Sequence, residues 1–340
     1  MNMEYTREEA KRKLNHFIEN KLISYSKLRN FNYDNQNQLT TSFLSPYISH
    51  GILNETEIVI ESLKKHSFLK CQKFIDEIFW RIYWRGWLEL RPKLWSDYIV
   101  TLKKIQNEYK DNDKYIEALQ GKTNIECFND WVNELKEKNY LHNHVRMWFA
   151  SIWIFTLNLP WQLGAAFFMK YLYDGDSASN TLSWRWVAGI QTNGKHYLAK
   201  EWNIKKFTYE KYENIKVNEK ALPIQKDRDY SITSRNFVNP EILENKKLLI
   251  FENNLSFEFS DHFSSKFKKI FIVKNNNRKI ELSKNVIDLK NQLIDDQINR
   301  LNKKSITCDL IDIKEINKIN ENVYALYPYI GENIDSINFK

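Results

Sequence analysis

All eleven tryptophans of this 340-residue chain lie between Trp80 and Trp202, and none follows. Indoles are large and seldom left in water, so such a break in usage marks two regions with different interiors. The apolar spacing changes at the same place. EEAKRKLNHFIENKL, ETEIVIESLKKHSF, KFIDEIFWRIYWRGWLEL, NDWVNELKEKN, HVRMWFASIWIFTL and LGAAFFMKYLY carry apolar residues three and four apart. That is the period of a helix with one buried face, and it predicts an all-α domain over residues 1–207. Residues 208–246 are polar and irregular and read as a linker. From residue 247 to 340 come the β-rich runs KKLLIFE (which begins just before this boundary), KKIFIVK, ITCDLIDI and NVYALYP, with helical VIDLKNQLIDDQINRLNKK between the second and third. Strands alternating with helix predict a small, largely parallel α/β (Rossmann-like) domain.

Composition narrows the function without naming it. The net charge of +8 suits a polyanionic partner, but the surplus is spread along the chain and is equally that of a solvated surface. Cys71, Cys127 and Cys308 form no CxxC or Cys/His ligand spacing, which predicts no metal or iron–sulfur site and a reducing compartment. The N-terminal MNMEYTREEAKRKLNHF has no apolar core, and no window reaches the ~18 apolar residues of a membrane span. A monomeric cytoplasmic protein with no membrane partner is expected. The abundance of Asn, Lys and Ile points to an AT-rich bacterial genome.

Four motifs could carry chemistry. TTSFLSPYISHGILNETEI (residues 40–58) gathers Thr41, Ser42 and Ser45 before a helical run, either a phosphate-holding loop or an ordinary helix cap. Upstream, Tyr25 and Arg29 stand one helical turn apart. FIDEIFWRIYWRGW (74–87) sets Glu77, Trp80, Arg81 and Trp84 on one helical stripe, suited to a flat heteroaromatic ring beside a phosphate or to a core edge with an ion pair. In YLHNHVRMWF (140–149), Asn143 lies one turn from Met147 and His142 one turn from Arg146. A buried Arg146 needs a carboxylate, and Asp174 in YLYDGDSASNTLSWRW (171–186) is the candidate.

The order of these motifs, hydroxyl cluster, EIFWR, HNxxRM, DGDxAxN and WxW, resembles the flavin-binding domain of the DNA photolyase and cryptochrome family over residues 20–207. The spacing from ALQGKTN (118–124) through Asn143, Trp161 and Asp174 to Trp186 is similar to that of cyclobutane-dimer photolyases. The resemblance implies an FAD cofactor, active as reduced FADH⁻, held by Tyr25, Thr41, Ser42, Leu44, Ser45, Asn143, Arg146, Asp174, Asp176 and Asn180. Arg146 and Asp174 would pair beside the isoalloxazine, Asp176 would meet the ring edge, and Asn180 would face N5. Trp184 would begin an electron relay with Trp161 second. The family's third tryptophan falls near Glu108 and Tyr109, where this sequence departs, so the exit would be Tyr109 or a different tryptophan.

The same resemblance implies damaged DNA as partner and a pocket for a flipped-out pyrimidine dimer. Glu77, Trp80, Asn143, Met147 and Trp186 would be its catalytic lining, whereas (6-4) enzymes carry histidines at the positions of Asn143 and Met147. Extrusion of the lesion is eased because it already disrupts stacking. Arg81 and His144 would contact DNA phosphate. Photolyases usually begin with an α/β antenna domain, but this chain begins almost directly with the flavin domain. Residues 247–340 look like either a shortened, relocated antenna domain or an unrelated small α/β module, and neither implies an antenna chromophore. The expected function is light-driven repair of cyclobutane pyrimidine dimers. Its rivals are a cryptochrome-like photoreceptor that binds FAD without repair, and a helical DNA-binding protein without flavin.

Overall fold

The computed structural model describes residues 4–32, 41–225, 228–233, 246–257, 267–319 and 323–337. Of the predicted linker, residues 226–227 and 234–245 lie outside this set. The first part is helical: α1 Arg7–Asn20, α2 Leu22–Leu28, α3 Ser45–Ser49, α4 Glu55–Lys65, α5 Phe68–Glu89, α6 Pro92–Tyr109, α7 Asp113–Gln120, α8 Glu126–Lys138, α9 Asn143–Ser151, α10 Trp161–Tyr171, α11 Ser177–Ala188 and α12 Glu201–Phe207. The boundaries follow local chemistry. Thr6, Asn54, Asn112 and Asp176 each accept a backbone N–H at a helix start, and Gly121 and Gly189 close α7 and α11 in the left-handed region. A single π turn, Ile152–Thr156, extends α9.

After residue 246 come β1 Lys246–Phe251, β2 Phe267–Lys274, α13 Lys284–Lys303, β3 Thr307–Asp312 and β4 Tyr324–Ala325. All pairings are parallel, in the order β3-β2-β1-β4, with Leu248 opposite Ile270 and Tyr324. Every β-rich run singled out in the sequence forms one of these strands, and α13 is the helix expected between the second and third.

The two parts share their interior. Leu14 and Phe17 of α1, Ile58 of α4 and Phe74 of α5 belong to one apolar cluster with Leu248, Ile250, Ile270 and Ile272 of the sheet and Leu289 and Leu293 of α13. The other face of the sheet carries a smaller cluster around Phe251, Phe271 and Ile313. Polar contacts reinforce the join, including Arg7 N to Asp296 Oδ2 at 3.0 Å and Ser283 N to Lys170 O at 2.8 Å. The C-terminal segment then lies back across the helices. Tyr327 donates to Glu89 at 2.8 Å, and Trp95 donates to Asp335 at 2.8 Å. Gly331 sits where a Cβ would meet the Ser177 hydroxyl at 2.3 Å, so only glycine lets this segment approach the start of α11.

Among the described residues, no helix is long and apolar enough to cross a membrane. The large apolar cluster of the helical part, rich in tryptophan, wraps α10 and α11 and fixes the loop between them, residues 172–176, in place.

Candidate functional site

The site is built on that loop and on three helices, α11 and the two that pack on it, α5 and α9. Arg146 projects from α9 and donates from Nη1 to Asp174 Oδ2 at 3.0 Å, while its Nε donates to the Leu141 carbonyl at 2.9 Å. Asp174 is buried and its second oxygen, Oδ1, has no hydrogen-bond partner. Burial opposes its charge, yet Arg146 and Arg81 together hold its pKa below the ordinary carboxylate value. Its backbone carbonyl accepts from Ser49 Oγ at 2.9 Å, and Arg81 donates to that same hydroxyl at 2.9 Å. The ion pair between Arg146 and Asp174 expected from the sequence is therefore formed.

Asp176 has its oxygens engaged on both sides. Oδ1 accepts from Ser179 N at 2.8 Å as the cap of α11, and Oδ2 accepts from Arg85 Nε at 3.3 Å. Arg85 is held in turn by Glu55 at 3.2 Å and by the Tyr329 ring, 5.1 Å from its guanidinium carbon. This arginine was not singled out in the sequence. Its signal was available, since Arg81 and Arg85 lie one turn apart on α5.

The hydroxyl loop reaches the same place. Tyr140 donates to Thr41 Oγ1 at 3.3 Å, its ring lies 5.6 Å from the Arg146 guanidinium, and Phe43 packs on it at 4.8 Å. Phe43 has φ of 55°, a conformation that costs a bulky residue and that often accompanies binding loops. Ser42 accepts from Leu44 N at 3.4 Å, Leu44 is buried, and Ser45 opens α3. Tyr25 packs against Phe17 and Phe74, and burial holds its phenol well above the ordinary pKa. Asn180 is buried and donates to the Ala165 carbonyl at 2.8 Å.

The residues expected to line the lesion pocket stay accessible. Trp80 is 48% exposed beside Trp84, its ring centroid 5.6 Å away. Asn143 is exposed, Met147 is half-buried, and Trp186 is half-buried with its ring stacked 5.9 Å from Tyr197. Glu77 is committed to Arg29 and Lys73, each at 3.0 Å.

Two expected phosphate contacts are placed elsewhere. His144 is buried, stacked 4.1 Å from Trp148, with Nδ1 3.0 Å from the Asn30 carbonyl and Nε2 3.4 Å from Tyr197 Oη. Both ring nitrogens are occupied and burial lowers its pKa, so it is a neutral core residue. Arg81 points inward to Ser49 and the two aspartates, because α5 turns that face toward the loop.

For the electron relay, Trp184 is buried against Phe149, Trp153 and Phe168. Trp161 stacks on Tyr98 at 5.4 Å and makes no ring contact with Trp184. Tyr109 is half-buried with its ring 6.3 Å from Tyr115.

Comparison with known proteins agrees with this geometry. Residues 74–219 match the family model described as the FAD binding domain of DNA photolyase. This stretch, α5 to α12 of the helical part, is similar to that domain. Deoxyribodipyrimidine photo-lyase of Vibrio cholerae is 28% identical over 163 residues, covering 46% of this chain and 34% of that protein. The enzyme of the same name from Buchnera aphidicola subsp. Baizongia pistaciae is 31% identical over 166 residues, with the same coverage of 46% and 34%. Thus the chain spans about a third (34%) of the length of these curated relatives. Among solved structures, a bacterial class III photolyase from Agrobacterium tumefaciens aligns with a TM-score of 0.50 and 26% identity, over 59% of this chain and 42% of that one. A cryptochrome from Synechocystis aligns with a TM-score of 0.51 at 19% identity, over 61% of this chain and 44% of that one, a likeness of fold.

FAD fits the residues present. The unspent Asp174 Oδ1 is a buried acceptor that a hydrogen-bond donor on a bound ring would satisfy. Thr41 and Ser42 offer hydroxyls of the kind that hold a pyrophosphate.

Proposed function

We propose that the chain is a light-driven DNA repair enzyme, a deoxyribodipyrimidine photo-lyase that splits cyclobutane pyrimidine dimers. The observation that carries this is the buried Arg146–Asp174 pair with its unspent oxygen, on elements that also leave Trp80, Asn143, Met147 and Trp186 accessible. Indoles in water are costly unless something covers them, and a flipped-out dimer presents two flat apolar faces. Names of the similar proteins support the same class of reaction.

When bound, reduced FAD supplies under blue or near-ultraviolet light the single electron that opens the cyclobutane ring, and that electron returns at the end, so no net oxidation occurs. The protein's share is binding, orientation and exclusion of water. Arg146 and Asp174 would anchor the cofactor, Asn180, held by the Ala165 carbonyl, would face it, and Trp80 and Trp186 would pack the lesion. Asn143 offers donor and acceptor to the pyrimidine carbonyl and imide edges, and Glu77 accepts from the imide. Binding of damaged DNA should weaken as salt rises, through counterion release.

The test is illumination of the purified, photoreduced protein with an oligonucleotide carrying one thymine dimer, following return of the ultraviolet absorbance of the bases against a dark control. Light-dependent recovery is expected. Bound, reducible flavin with no recovery would favour a photoreceptor instead.

A further inference from the structure

A second cavity, walled by flat side chains, opens where the C-terminal ends of α5 and α11 meet residues 228–233. We propose that it takes an unpaired nucleobase of the damaged DNA strand, a few nucleotides from the lesion. The inference rests on the DNA-repair function proposed above. The cavity measures about 190 Å³. Sites for drug-sized molecules run to ~300–1,000 Å³, so this one suits a single ring system and not a dinucleotide cofactor.

The walls are aromatic faces paired with guanidinium planes. Trp87 projects from α5, and the Arg91 guanidinium carbon lies 4.3 Å from its ring centroid. Tyr230, on the stretch that reads as a linker, lies 5.6 Å from the guanidinium carbon of the buried Arg185. Indole, phenol and guanidinium planes are the surfaces on which unstacked bases lie.

Polar groups are set to meet the edge of a base. Arg185 Nε donates to Gln191 Oε1 at 3.3 Å, which commits the amide oxygen and leaves the amide nitrogen to donate. Asp229 adds a carboxylate to the lining. Donors beside an acceptor match a base whose carbonyl adjoins a ring N–H, as in thymine and guanine.

Two helices connect this cavity to the residues expected around the lesion. Trp80, Trp84 and Trp87 share one stripe of α5, and the rings of the first two stack at 5.6 Å. On α11, which packs on α5, Trp186 lies one turn before Ile190, which lines the cavity. From Trp80 to Trp87 a helix rises about 10 Å, or about three steps of the ~3.4 Å spacing along a DNA strand. A strand whose dimer lies between Trp80 and Trp186 thus brings a base about three nucleotides away to Trp87. Duplex pairing would hold that base in the stack, so the cavity selects DNA that is single-stranded or already opened around the lesion.

The experiment measures dissociation constants in the dark for the full-length, FAD-loaded protein. The probes are single-stranded oligonucleotides carrying one thymine dimer and, in turn, one abasic site at each neighbouring position. For wild type, loss of the base at one position, about three nucleotides from the dimer on one side only, should weaken binding about tenfold. Trp87→Ala should bind the intact strand about tenfold more weakly and gain no further penalty from that abasic site, because the two losses remove one contact. Trp87→Phe keeps a stacking face and should recover most of the affinity, and Gln191→Ala should lose the preference for thymine or guanine over adenine at that position. Flavin content and circular dichroism show that each variant is folded.

An abasic penalty of the same size in wild type and Trp87→Ala would overturn the assignment. Guanosine monophosphate that binds wild type but not Trp87→Ala, with no sensitive position in the strand, would assign the cavity to a free nucleotide and overturn the strand contact. Light-driven repair with no sensitive position and no nucleotide binding would overturn the cavity's role while leaving the proposed function. A protein with no affinity for dimer-bearing DNA would overturn both.

Discussion

Two of the places where this molecule buries charge differ in which atom is left over, a carboxylate oxygen in one and the Arg278 Nε in the other. Around the 172–176 loop, Arg146 holds Asp174 by one oxygen and the other has no partner. At the ends of β1 and β2, Glu252 is paired with Arg278 and, at 3.3 Å, with Lys290, while Glu332 accepts from the backbone N–H groups of Lys279 and Ile280 at 2.7 and 2.9 Å. No buried carboxylate oxygen of this second cluster lacks a partner among the described residues. The sheet cluster is spent on holding the C-terminal segment to the strands. Buried charge alone therefore does not mark a site, because structural networks bury it too, and Glu57 Oε2 beside Arg7 shows that an unspent oxygen alone does not either; Asp174 joins an unspent acceptor to a loop flanked by Arg146 and Arg81.

Arg146→Ala should produce the largest change. Removing the hydrogen-bonded partner leaves the buried Asp174 charge to Arg81 alone, a loss bounded by the about 3–5 kcal/mol of breaking a buried pair, and the flavin anchor goes with it. The variant should purify without flavin colour and unfold at lower temperature. Retained flavin at wild-type content would break the distinction between the two clusters.

Glu252→Gln should destabilise to a smaller extent, since an amide keeps one hydrogen-bond acceptor for Arg278 and Lys290 while losing the charge, an effect of order ~2–3 kcal/mol. Flavin content per folded molecule should stay unchanged. Loss of flavin out of proportion to unfolding, measured by absorbance against circular dichroism, would show that the sheet cluster belongs to the site.

A pH effect is shared by the two regions. His50, beside the sheet cluster, and His142, at the start of α9, are both buried, and burial first, then nearby cations, lowers each pKa from 6.5 to about 3. The unfolded chain thus takes up protons that the folded chain refuses. Stability is complete above pH 6.5 and falls as pH drops from there toward about 3, by at most about 1.4 kcal/mol per pH unit for each histidine. Thermal midpoints over that range check this, and His142→Asn, which keeps a capping acceptor, should remove its share. A flat profile would show that the imidazoles are reached by water.

What the sequence disclosed divides along similar lines. Periodic elements were legible because burial imposes period: the β-rich runs form strands, and the helical stretches form helices. The Arg146–Asp174 pair was legible because a buried arginine demands a carboxylate and DGD supplied one. His144 was misjudged because its spacing on α9 is compatible with either face, and only the packing of Trp148 and Phe207 on its ring decides that it is inside. The one-turn spacing of Arg81 and Arg85 was there to be seen, but the pairing of Arg85 with Asp176 and the contact of Gly331 with Ser177 were not. Each joins residues far apart in the chain, and no local pattern encodes it.

The smallest structural effect is expected at Glu77, and it separates binding of flavin from work on DNA. Its ion pairs with Arg29 and Lys73 are partly exposed, so Glu77→Ala should change stability by about 1 kcal/mol or less. Flavin should remain, because no residue of the Arg146–Asp174 pair is touched. Repair of a thymine dimer under light should weaken, because Arg29 is freed from its carboxylate and the acceptor for the pyrimidine imide is gone. Gln at the same position keeps an acceptor while losing the charge, so partial recovery in Glu77→Gln would assign the effect to hydrogen bonding. Equal loss of flavin and repair in the alanine variant would place Glu77 among the groups that hold the cofactor's surroundings together, and the lesion pocket would then have to be sought among Trp80, Asn143, Met147 and Trp186 alone.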